Sequence, residues 1–202
     1  MNLLTKFFRR PSLIGQINNL VENSRDKIIC LDSETTGLDT SRDEFLQFSI
    51  IDGNGKILFN EFLKPLHRRS WGDAERVHGI TPAMVKSKLP IIEYLPEIRK
   101  IIDDSSLIIG YNLIGFDLLL LRRAGITPIN KYGVDVMRNF SPIYGDWNPR
   151  YKNYTYKSLE VCTSYYRYPS FKAHDSLEDS KATLHCFYEM EKRKQLRIID
   201  EV

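Results

Sequence analysis

The spacing of apolar residues changes from a helical to a strand pattern near residue 27. Three short runs from that point, at residues 27–31, 45–51 and 56–63, are apolar and β-branched, which predicts three strands. The turn sequence DGNG at residues 52–55 joins the last two as a hairpin, so the sheet is predicted to begin antiparallel. Before residue 27, a helix is predicted by apolar residues at helical spacing: Leu13, Ile14, Ile17, Leu20 and Val21.

The second half of the chain alternates strands with helices. Apolar runs at residues 106–111 and 132–136 predict two further strands, with a helix over residues 116–123 between them. A strand–helix–strand unit of this kind favours parallel pairing through a right-handed crossover. Residues 139–156 are rich in proline, glycine, asparagine and tyrosine, and we expect a long loop there. Further helices are predicted over residues 81–88, 91–103, 157–166 and 176–195.

These elements fit a single α/β domain. A chain of 202 residues lies within the usual size of one core, and its hydrophobic fraction of 42% excludes a disordered or fibrous protein. We expect an N-terminal helical extension at residues 1–24, followed by the domain proper at residues 25–202. No apolar run approaches the roughly 18 residues of a membrane-spanning helix, so we expect no membrane association.

Charge and cysteine content bear on the location of the protein and on the kind of metal site it could hold, but they do not indicate an activity. The chain has 29 Lys and Arg against 26 Asp and Glu, and the net charge of +3 is compatible with a nucleic-acid partner without indicating one. The cysteines, Cys30, Cys162 and Cys186, are odd in number and form no CxxC pair, which disfavours a structural zinc site. Residues 1–11 lack the pattern of a signal peptide, and we expect a cytoplasmic location.

Acidic residues follow two of the predicted buried strands. Asp32 and Glu34 come directly after the first strand, and alternate residues of an extended chain share a side, so both carboxylates are predicted to point the same way. Asp117 follows the fourth strand, at the start of a predicted helix. Each signal has an ordinary alternative, since acids are common beside turns and at helix N-termini.

A third acidic segment, HDSLED at residues 174–179, opens the last predicted helix. Capping by Asp175 or Ser176 explains part of it, but capping does not require His174 five residues before Asp179. Carboxylates converging from three elements would repel one another, so they would either have raised pKa values or hold cations. Oxygen ligands without thiolates favour Mg²⁺ or Mn²⁺, and a pair of such ions suits phosphodiester cleavage. His174 is then a candidate general base for the attacking water.

Together, three segments resemble the motifs of the DEDDh (DnaQ-like) 3′→5′ exonucleases: LDSETTGL at residues 31–38, GYNLIGFD at 110–117 and HDSLED at 174–179. The tyrosine branch of that superfamily carries Tyr where this chain has Asp175, whereas His174 matches the histidine branch. HGIT at residues 78–81 resembles a further turn of the family. The middle segment departs from the pattern by one extra residue ahead of Phe116, which we expect Gly115 to absorb.

The resemblance implies a ribonuclease H-like α/β fold, whose mixed five-stranded sheet has three antiparallel strands first, then parallel ones, and helices on its flanks. It implies hydrolysis from the 3′ end that releases nucleoside 5′-monophosphates, with residues 25–202 as the exonuclease domain. Asp32 would bridge two divalent cations, Mg²⁺ or Mn²⁺. Glu34 and Asp179 would complete the ligands of one ion and Asp117 would support the other, with His174 as the general base.

The resemblance also implies contacts to the terminal nucleotide from the segment around Glu34. Leu38 is expected to wedge against the base, and a core position is the alternative for this apolar residue. The expected substrate contacts are Ser33, Thr35, Thr36, Gly37, Leu38, His78, Asn112 and Phe116.

Aromatic and basic residues elsewhere are candidates for holding the rest of a strand. In and beside the predicted loop, aromatic faces that can stack on bases alternate with cations that can meet phosphates: Tyr144, Trp147, Tyr151, Tyr154 and Tyr156 with Arg138, Arg150 and Lys152. Packing of the tyrosines against the domain is the alternative. Basic stretches at residues 67–69 and 192–197 are either phosphate contacts or ordinary solvated positions, and His185 is expected to be a packed or surface residue.

The leading hypothesis is a metal-dependent exonuclease acting on the 3′ end of single-stranded DNA or RNA, with DNA favoured. One alternative is a proofreading subunit docked on a DNA polymerase or another replication or repair protein. The others are an RNA-trimming exoribonuclease and a catalytically silent nucleic-acid-binding scaffold, which the intact acids and His174 disfavour. The sequence does not distinguish a monomer from a homodimer.

Overall fold

The structure is a computed structural model that describes residues 12–202. Its strands are β1 (Ile28–Thr35), β2 (Phe45–Asp52), β3 (Ile57–Phe62), β4 (Leu107–Gly110), β5 (Tyr132–Asp135), β6 (Trp147–Asn148), β7 (Asn153–Tyr154) and β8 (Asp200–Glu201). Its helices are α1 (Leu13–Asn23), α2 (Gly72–His78), α3 (Pro82–Val85), α4 (Leu95–Asp104), α5 (Asp117–Arg123), α6 (Val136–Tyr144), α7 (Leu159–Tyr165) and α8 (Ser176–Lys192). None of the helices in this range has the length and apolar character needed to cross a membrane.

One mixed sheet organises the domain, in the order β3-β2-β1-β4-β5-β8. Neighbours are antiparallel from β3 to β1 and parallel from β1 to β5. The predicted α/β class and the change from antiparallel to parallel pairing are therefore confirmed. The sheet has one strand more than expected, because β8 is a two-residue antiparallel pairing with β5, too short to leave an apolar pattern in the sequence.

Alternate residues of the central strand β1 face different hydrophobic clusters. Ile28 and Cys30 pack with α1 and α8 on one face, whereas Ile29 and Leu31 pack with α4 and α5 on the other. Both faces of β1 are therefore covered, which explains the continuous apolar run at the start of the strand. The position of a residue along β1 decides which helix its side chain meets.

The predicted N-terminal helix is present as α1. The hydroxyl of Ser12 accepts the Gly15 N–H at 3.1 Å and caps the helix, and Ile17 and Val21 are buried in the cluster that α8 also lines. Residues 1–11, which include the basic segment noted in the sequence, lie outside the described range.

The prediction of a long loop over residues 139–156 is wrong. Its first part belongs to α6, which continues through Pro142, and its second part forms the β6–β7 hairpin. Proline inside a helix leaves the carbonyl four residues earlier without its usual donor. Here that carbonyl belongs to Arg138, and the Ser141 hydroxyl donates to it at 3.3 Å. The side chain of Ser141 thus compensates for Pro142, which composition alone does not reveal.

Two predicted helices are shorter than expected. The helix predicted over residues 81–88 ends at Val85, and the one predicted over 91–103 begins with a 3₁₀ turn, so that α4 starts only at Leu95. Pro96 lies in the first turn of α4, where a missing backbone N–H leaves no hydrogen bond unmade.

The packing of the sheet predicts that two isoleucines contribute differently to the free energy of unfolding. Ile50 on β2 is fully buried in the cluster that α4 and α5 cover, whereas Ile129 is 70% exposed. We expect Ile50→Ala to lower the free energy of unfolding by about 2–5 kcal/mol, because it removes buried methylenes and leaves a cavity. The same change at Ile129 should cost less than about 0.5 kcal/mol. Urea unfolding of both variants tests this, and equal losses would contradict the assigned packing.

Candidate active site

Strand β1 carries the first two acids within its length rather than after its end. Pairing with β2 continues through Asp32↔Ser49 and Glu34↔Gln47, so the predicted strand was too short. Asp32 and Glu34 share the face of Cys30, towards α8. The intervening Ser33 shares the face of Leu31, towards α5. The predicted common direction of the two carboxylates agrees with this register.

The third acid, Asp117, is the first residue of α5 and is 2% exposed. The Ser33 hydroxyl donates to Asp117 Oδ1 at 2.6 Å, which connects β1 to α5 across the sheet face. This hydrogen bond holds one oxygen of the carboxylate in place. Ser33 therefore positions an acid, a role that its place between Asp32 and Glu34 in the sequence does not reveal.

A buried acid that the sequence interpretation left without a role holds the turn before α5. Asp135, at the end of β5, is fully buried, and its two carboxylate oxygens accept the N–H groups of Asn112 and Ile114, each at 3.2 Å. Asn112 adopts a left-handed conformation with φ 61°. Gly115 leaves room for the Asn112 side chain, since a Cβ on it would lie 2.5 Å from Asn112 Oδ1.

Helix α8 is docked on β2 by two polar residues beneath the site. Ser176 donates its N–H to Gln47 Oε1 at 3.3 Å, and its hydroxyl lies 2.7 Å from the hydroxyl of Ser49. Asp175 is the N-cap and accepts the Leu177 N–H at 3.2 Å, which confirms the capping interpretation for that residue. This anchoring sets the first turn of α8 against β1.

The fourth acid and the histidine meet Glu34 at this point. Asp179 is 8% exposed, and its Oδ2 accepts the backbone N–H of His174 at 3.2 Å. Ligand atoms of Glu34, His174 and Asp179 all lie within 4.8 Å of one another. His174 Nε2 lies 3.7 Å from Glu160 Oε1 on α7, and its side chain is 44% exposed. The structure thus brings the first and third motifs together.

Burial raises the pKa of all four acids, and neighbouring negative charges add to the effect. Burial is the largest cause for each, and it raises the pKa of Asp117 and of Asp179 to about 7. The pKa of Glu34 rises to about 8, because the charges of Asp179 and Asp117 add to its burial. Burial and the neighbouring Asp117 and Asp179 also raise the pKa of Asp32 well above its usual range. Full ionisation therefore requires positive charge from elsewhere.

The residues present fit a divalent cation. Asp179 Oδ1 is buried and has no hydrogen-bond partner among the described residues, although a buried carboxylate oxygen usually has one. A cation would satisfy this oxygen and offset the repulsion among the acids. The donors are carboxylate oxygens and one imidazole, without a thiolate, which suits a hard divalent cation.

A cleft of about 710 Å³ leads away from these acids. Most of the predicted substrate contacts line it, together with Glu34 and His174: Ser33, Thr35, Thr36, Gly37, Leu38, His78 and Phe116. Asn112 is not among the lining residues. Leu38 is 88% exposed, so the alternative that it is a core residue is wrong.

The loop that carries Leu38 is held from beneath by Asp43, which the sequence interpretation missed. Its carboxylate accepts the Thr36 hydroxyl and the Asp39 N–H, both at 2.9 Å. A Cβ at Gly37 would lie 2.5 Å from Asp43 Oδ2, so only glycine fits above this carboxylate. Leu38 is thus presented by a braced turn. Asp43 lies in a polar stretch without periodicity, which explains why no pattern identified it.

His78 is fixed in one neutral tautomer. The Ile80 N–H donates to its Nδ1 at 3.0 Å, so Nε2 carries the proton and donates to the Thr35 carbonyl at 3.1 Å. Burial lowers its pKa, which agrees with an uncharged ring. His78 therefore ties the start of the HGIT turn to the end of β1.

The aromatic residues after α6 lie on or beside the β6–β7 hairpin. Trp147 and Tyr151 are 52% and 70% exposed, so packing against the domain does not account for them. The hairpin leads into the segment before α7, where Tyr111 donates its hydroxyl to the Lys157 carbonyl at 2.8 Å. His185 packs against the Tyr168 ring at 4.9 Å, which confirms that it is a packed residue.

Comparison with known proteins identifies the family. Residues 29–187 match the RNase_T exonuclease family, and the chain belongs to that family, in agreement with the DEDDh resemblance of its motifs. DNA polymerase III PolC-type of Thermotoga maritima is 31% identical over 120 residues, covering 54% of this chain and 9% of that protein. Its counterpart in Thermotoga petrophila is 28% identical over 162 residues, covering 79% and 11%. The chain thus spans roughly a tenth of these relatives' length.

Solved exonuclease structures share the fold. The zinc-bound complex of E. coli exonuclease I with single-stranded DNA aligns with a TM-score of 0.66 at 20% identity, covering 83% of this chain and 40% of that chain. Exonuclease X in complex with 5′-overhanging duplex DNA aligns with a TM-score of 0.62 at 18% identity, covering 84% and 94%. At these identities, the likeness establishes the architecture.

The crowded acids predict how stability changes with pH in metal-free buffer. Their pKa values in the folded state, about 7 for Asp117 and Asp179, exceed the unfolded value near 4, so the folded state binds more protons. Their contribution to stability is therefore present at low pH and is lost as the pH rises through these values. We expect Asp179→Asn to have a higher thermal midpoint than the native chain at about pH 8.5 with chelator, and a smaller advantage at about pH 5.5.

A matched substitution outside the site is the control. Asp104 is an exposed acid at the end of α4, and Asp104→Asn should show no such pH-dependent gain. Addition of Mn²⁺ should stabilise the native chain more than Asp179→Asn. An Asp179→Asn variant that gains nothing at high pH would contradict the proposed repulsion.

Proposed function

We propose that this chain is a metal-dependent 3′→5′ exonuclease that hydrolyses the terminal phosphodiester bond of single-stranded nucleic acid, with DNA favoured, and releases nucleoside 5′-monophosphates. The observation that carries this proposal is the meeting of Glu34, His174 and Asp179 within 4.8 Å, beside the buried Asp117. Membership of the exonuclease family supports it.

The acids are proposed to hold two divalent cations, Mg²⁺ or Mn²⁺. Asp32, Glu34, Asp117 and Asp179 would hold them. Such ions, when bound, stabilise charge on the attacking and leaving oxygens. The chain itself contributes preorganisation, because Ser33 holds Asp117 and the N–H of His174 holds Asp179.

His174 is the proposed general base. Its left-handed backbone, with φ 61°, turns the residue just before α8 so that the ring stands beside Glu34 and Asp179. The ring is 44% exposed, so water can approach it, and its imidazole can accept a proton. Glu160 faces Nε2 and would stabilise the ring once it has accepted the proton from the attacking water. Hydrogen bonding to Ser158 lowers the pKa of Glu160, which favours its charged form.

The terminal nucleotide is proposed to occupy the cleft beyond the acids. Leu38 projects from its braced turn and would wedge against the terminal base, and Phe116 lines the same cleft. Backbone and hydroxyl groups would contact the sugar and phosphate, from residues already at the lining: Ser33, Thr35, Thr36, Gly37 and His78. Asn112 is a weaker candidate, because its side-chain oxygen lies against Gly115.

A second role follows from the polymerase relatives. PolC-type DNA polymerase III is similar over 120 residues, which supports a proofreading domain that acts with a DNA polymerase. Preference for a mismatched over a matched primer 3′ end, measured with and without a polymerase, would favour this role over a stand-alone enzyme.

Two substitutions test the mechanism. Asp32→Ala should abolish degradation, because it removes one of the proposed metal ligands. His174→Ala should slow it by roughly 10²–10⁴-fold, the usual contribution of a general base, while metal binding persists. Loss of label from 5′- and 3′-labelled single strands, with Mg²⁺ or chelator, measures both the rate and the polarity of degradation.

Control variants separate these roles from general damage. Asp104→Ala and His185→Ala change the same residue types outside the cleft and should retain nearly native rates. Full activity with excess chelator, or in Asp32→Ala, would refute the metal mechanism. Loss of metal binding in His174→Ala would show that this residue is a ligand rather than the base.

A further inference from the structure

A second cleft adjoins the proposed active-site cleft. Arg68 and Trp71 line both clefts. The volume of the second cleft is about 380 Å³, and it runs between the loop after β3 and helix α3. The charged residues that line it are Lys64, Arg68, Arg69 and Lys86, and none of the described lining residues is acidic. This basic cleft is therefore opposite in charge to the acidic site beside it.

Three of the four basic side chains in this cleft form no ion pair with a carboxylate of the described residues, so their charge is available to a ligand. Arg68 pairs with Asp43, with Nη2 to Oδ1 at 3.2 Å, at the junction of the two clefts. Across residues 12–202, no carboxylate forms an ion pair with Lys64, Arg69 or Lys86. All three are exposed. Unpaired cations gathered in one concave surface attract an anion more strongly than scattered ones do.

The loop after β3, which carries Lys64, Arg68 and Arg69, is held in a fixed shape. The carboxylate of Glu44 accepts the N–H groups of Leu66, His67 and Arg68, at 2.8, 2.9 and 2.8 Å. Burial alone would raise the pKa of Glu44, but these donors lower it overall, so the carboxylate is charged and the loop closes around it. The backbone of the loop that carries Lys64, Arg68 and Arg69 is thus shaped before any ligand arrives.

The floor of the basic cleft is equally well anchored. Trp71 is 5% exposed and donates its indole N–H to the Ile80 carbonyl at 2.7 Å, and Val85 is buried beside it. A buried, hydrogen-bonded floor beneath an exposed cationic rim suits a ligand that lies along the surface. A polyanionic strand has this form, because its charge repeats along its length.

We infer that the basic cleft binds phosphates of the cleaved strand on the 5′ side of the nucleotides held in the active-site cleft. This inference rests on the proposed function, which places the 3′ end beside Asp32 and Glu34. Continuity through Arg68 and Trp71 gives the strand a path from one cleft into the other. The contacts are to phosphate and carry no base preference.

The test is a triple variant, Lys64→Ala/Arg69→Ala/Lys86→Ala, which leaves Arg68 and its ion pair intact. Binding is measured without turnover, by fluorescence anisotropy of a 5′-fluorescein-labelled oligothymidylate of about 20 nucleotides, in an Asp32→Asn background. We expect affinity to fall roughly tenfold or more at low salt. The slope of log affinity against log salt should decrease by up to about 2, since each phosphate contact on a single strand contributes about 0.7.

The matched control is Lys27→Ala/Lys56→Ala/Lys100→Ala, which removes the same net charge from exposed positions outside both clefts. Its affinity and salt slope should remain near those of the Asp32→Asn parent. Equal losses in both triple variants, an unchanged slope in the first, or a loss confined to duplex DNA would each overturn the inference. Absence of hydrolysis by the native chain would contradict the proposed function alone, because the binding assay does not depend on turnover.

Discussion

Mutual repulsion among buried carboxylates is the constraint on which this architecture depends. A single strand holds Asp32 and Glu34 on one face, and α5 and α8 add one acid each from opposite sides of the sheet. Nothing in the local chain favours this crowding, since burial and neighbouring charges raise the pKa of every member. The fold sustains it because neutral groups hold the elements that carry the acids. Cations then gain affinity from repulsion that is already present.

The polar side chains that position the acids stand on the strands of the hydrophobic core. Gln47 and Ser49 stand on the fully buried strand β2 and hold the start of α8, so the packing of the sheet fixes the position of Asp179. Ser33 does the same for Asp117 from the opposite face of β1. Core stability and site geometry are therefore linked through short polar contacts. A substitution in β2 can alter the acids without touching them.

Features that depend on residues close in sequence were predictable, and features that depend on distant partners were not. Alternation along β1 and the cap at Asp175 are local, and both agree with the structure. Asp43 acts through Gly37 and Asp135 through Asn112, and a lone polar residue does not reveal such a partner. The prediction of a loop over residues 139–156 failed for the same reason. Composition does not show that the Ser141 hydroxyl replaces the hydrogen bond that Pro142 cannot donate. The family motifs succeeded because they combine three local signals.

Asp135 has a consequence for how movement would spread through the domain. Its carboxylate accepts N–H groups from Asn112 and Ile114 ahead of α5, and also from Arg138 in the first turn of α6. One anion is thus shared by the turn that precedes Asp117 and by the helix that leads to the aromatic hairpin. A displacement of that hairpin strong enough to shift α6 would strain the turn before Asp117. The exposed aromatic hairpin is thus mechanically connected, through Asp135, to the buried Asp117 at the start of α5.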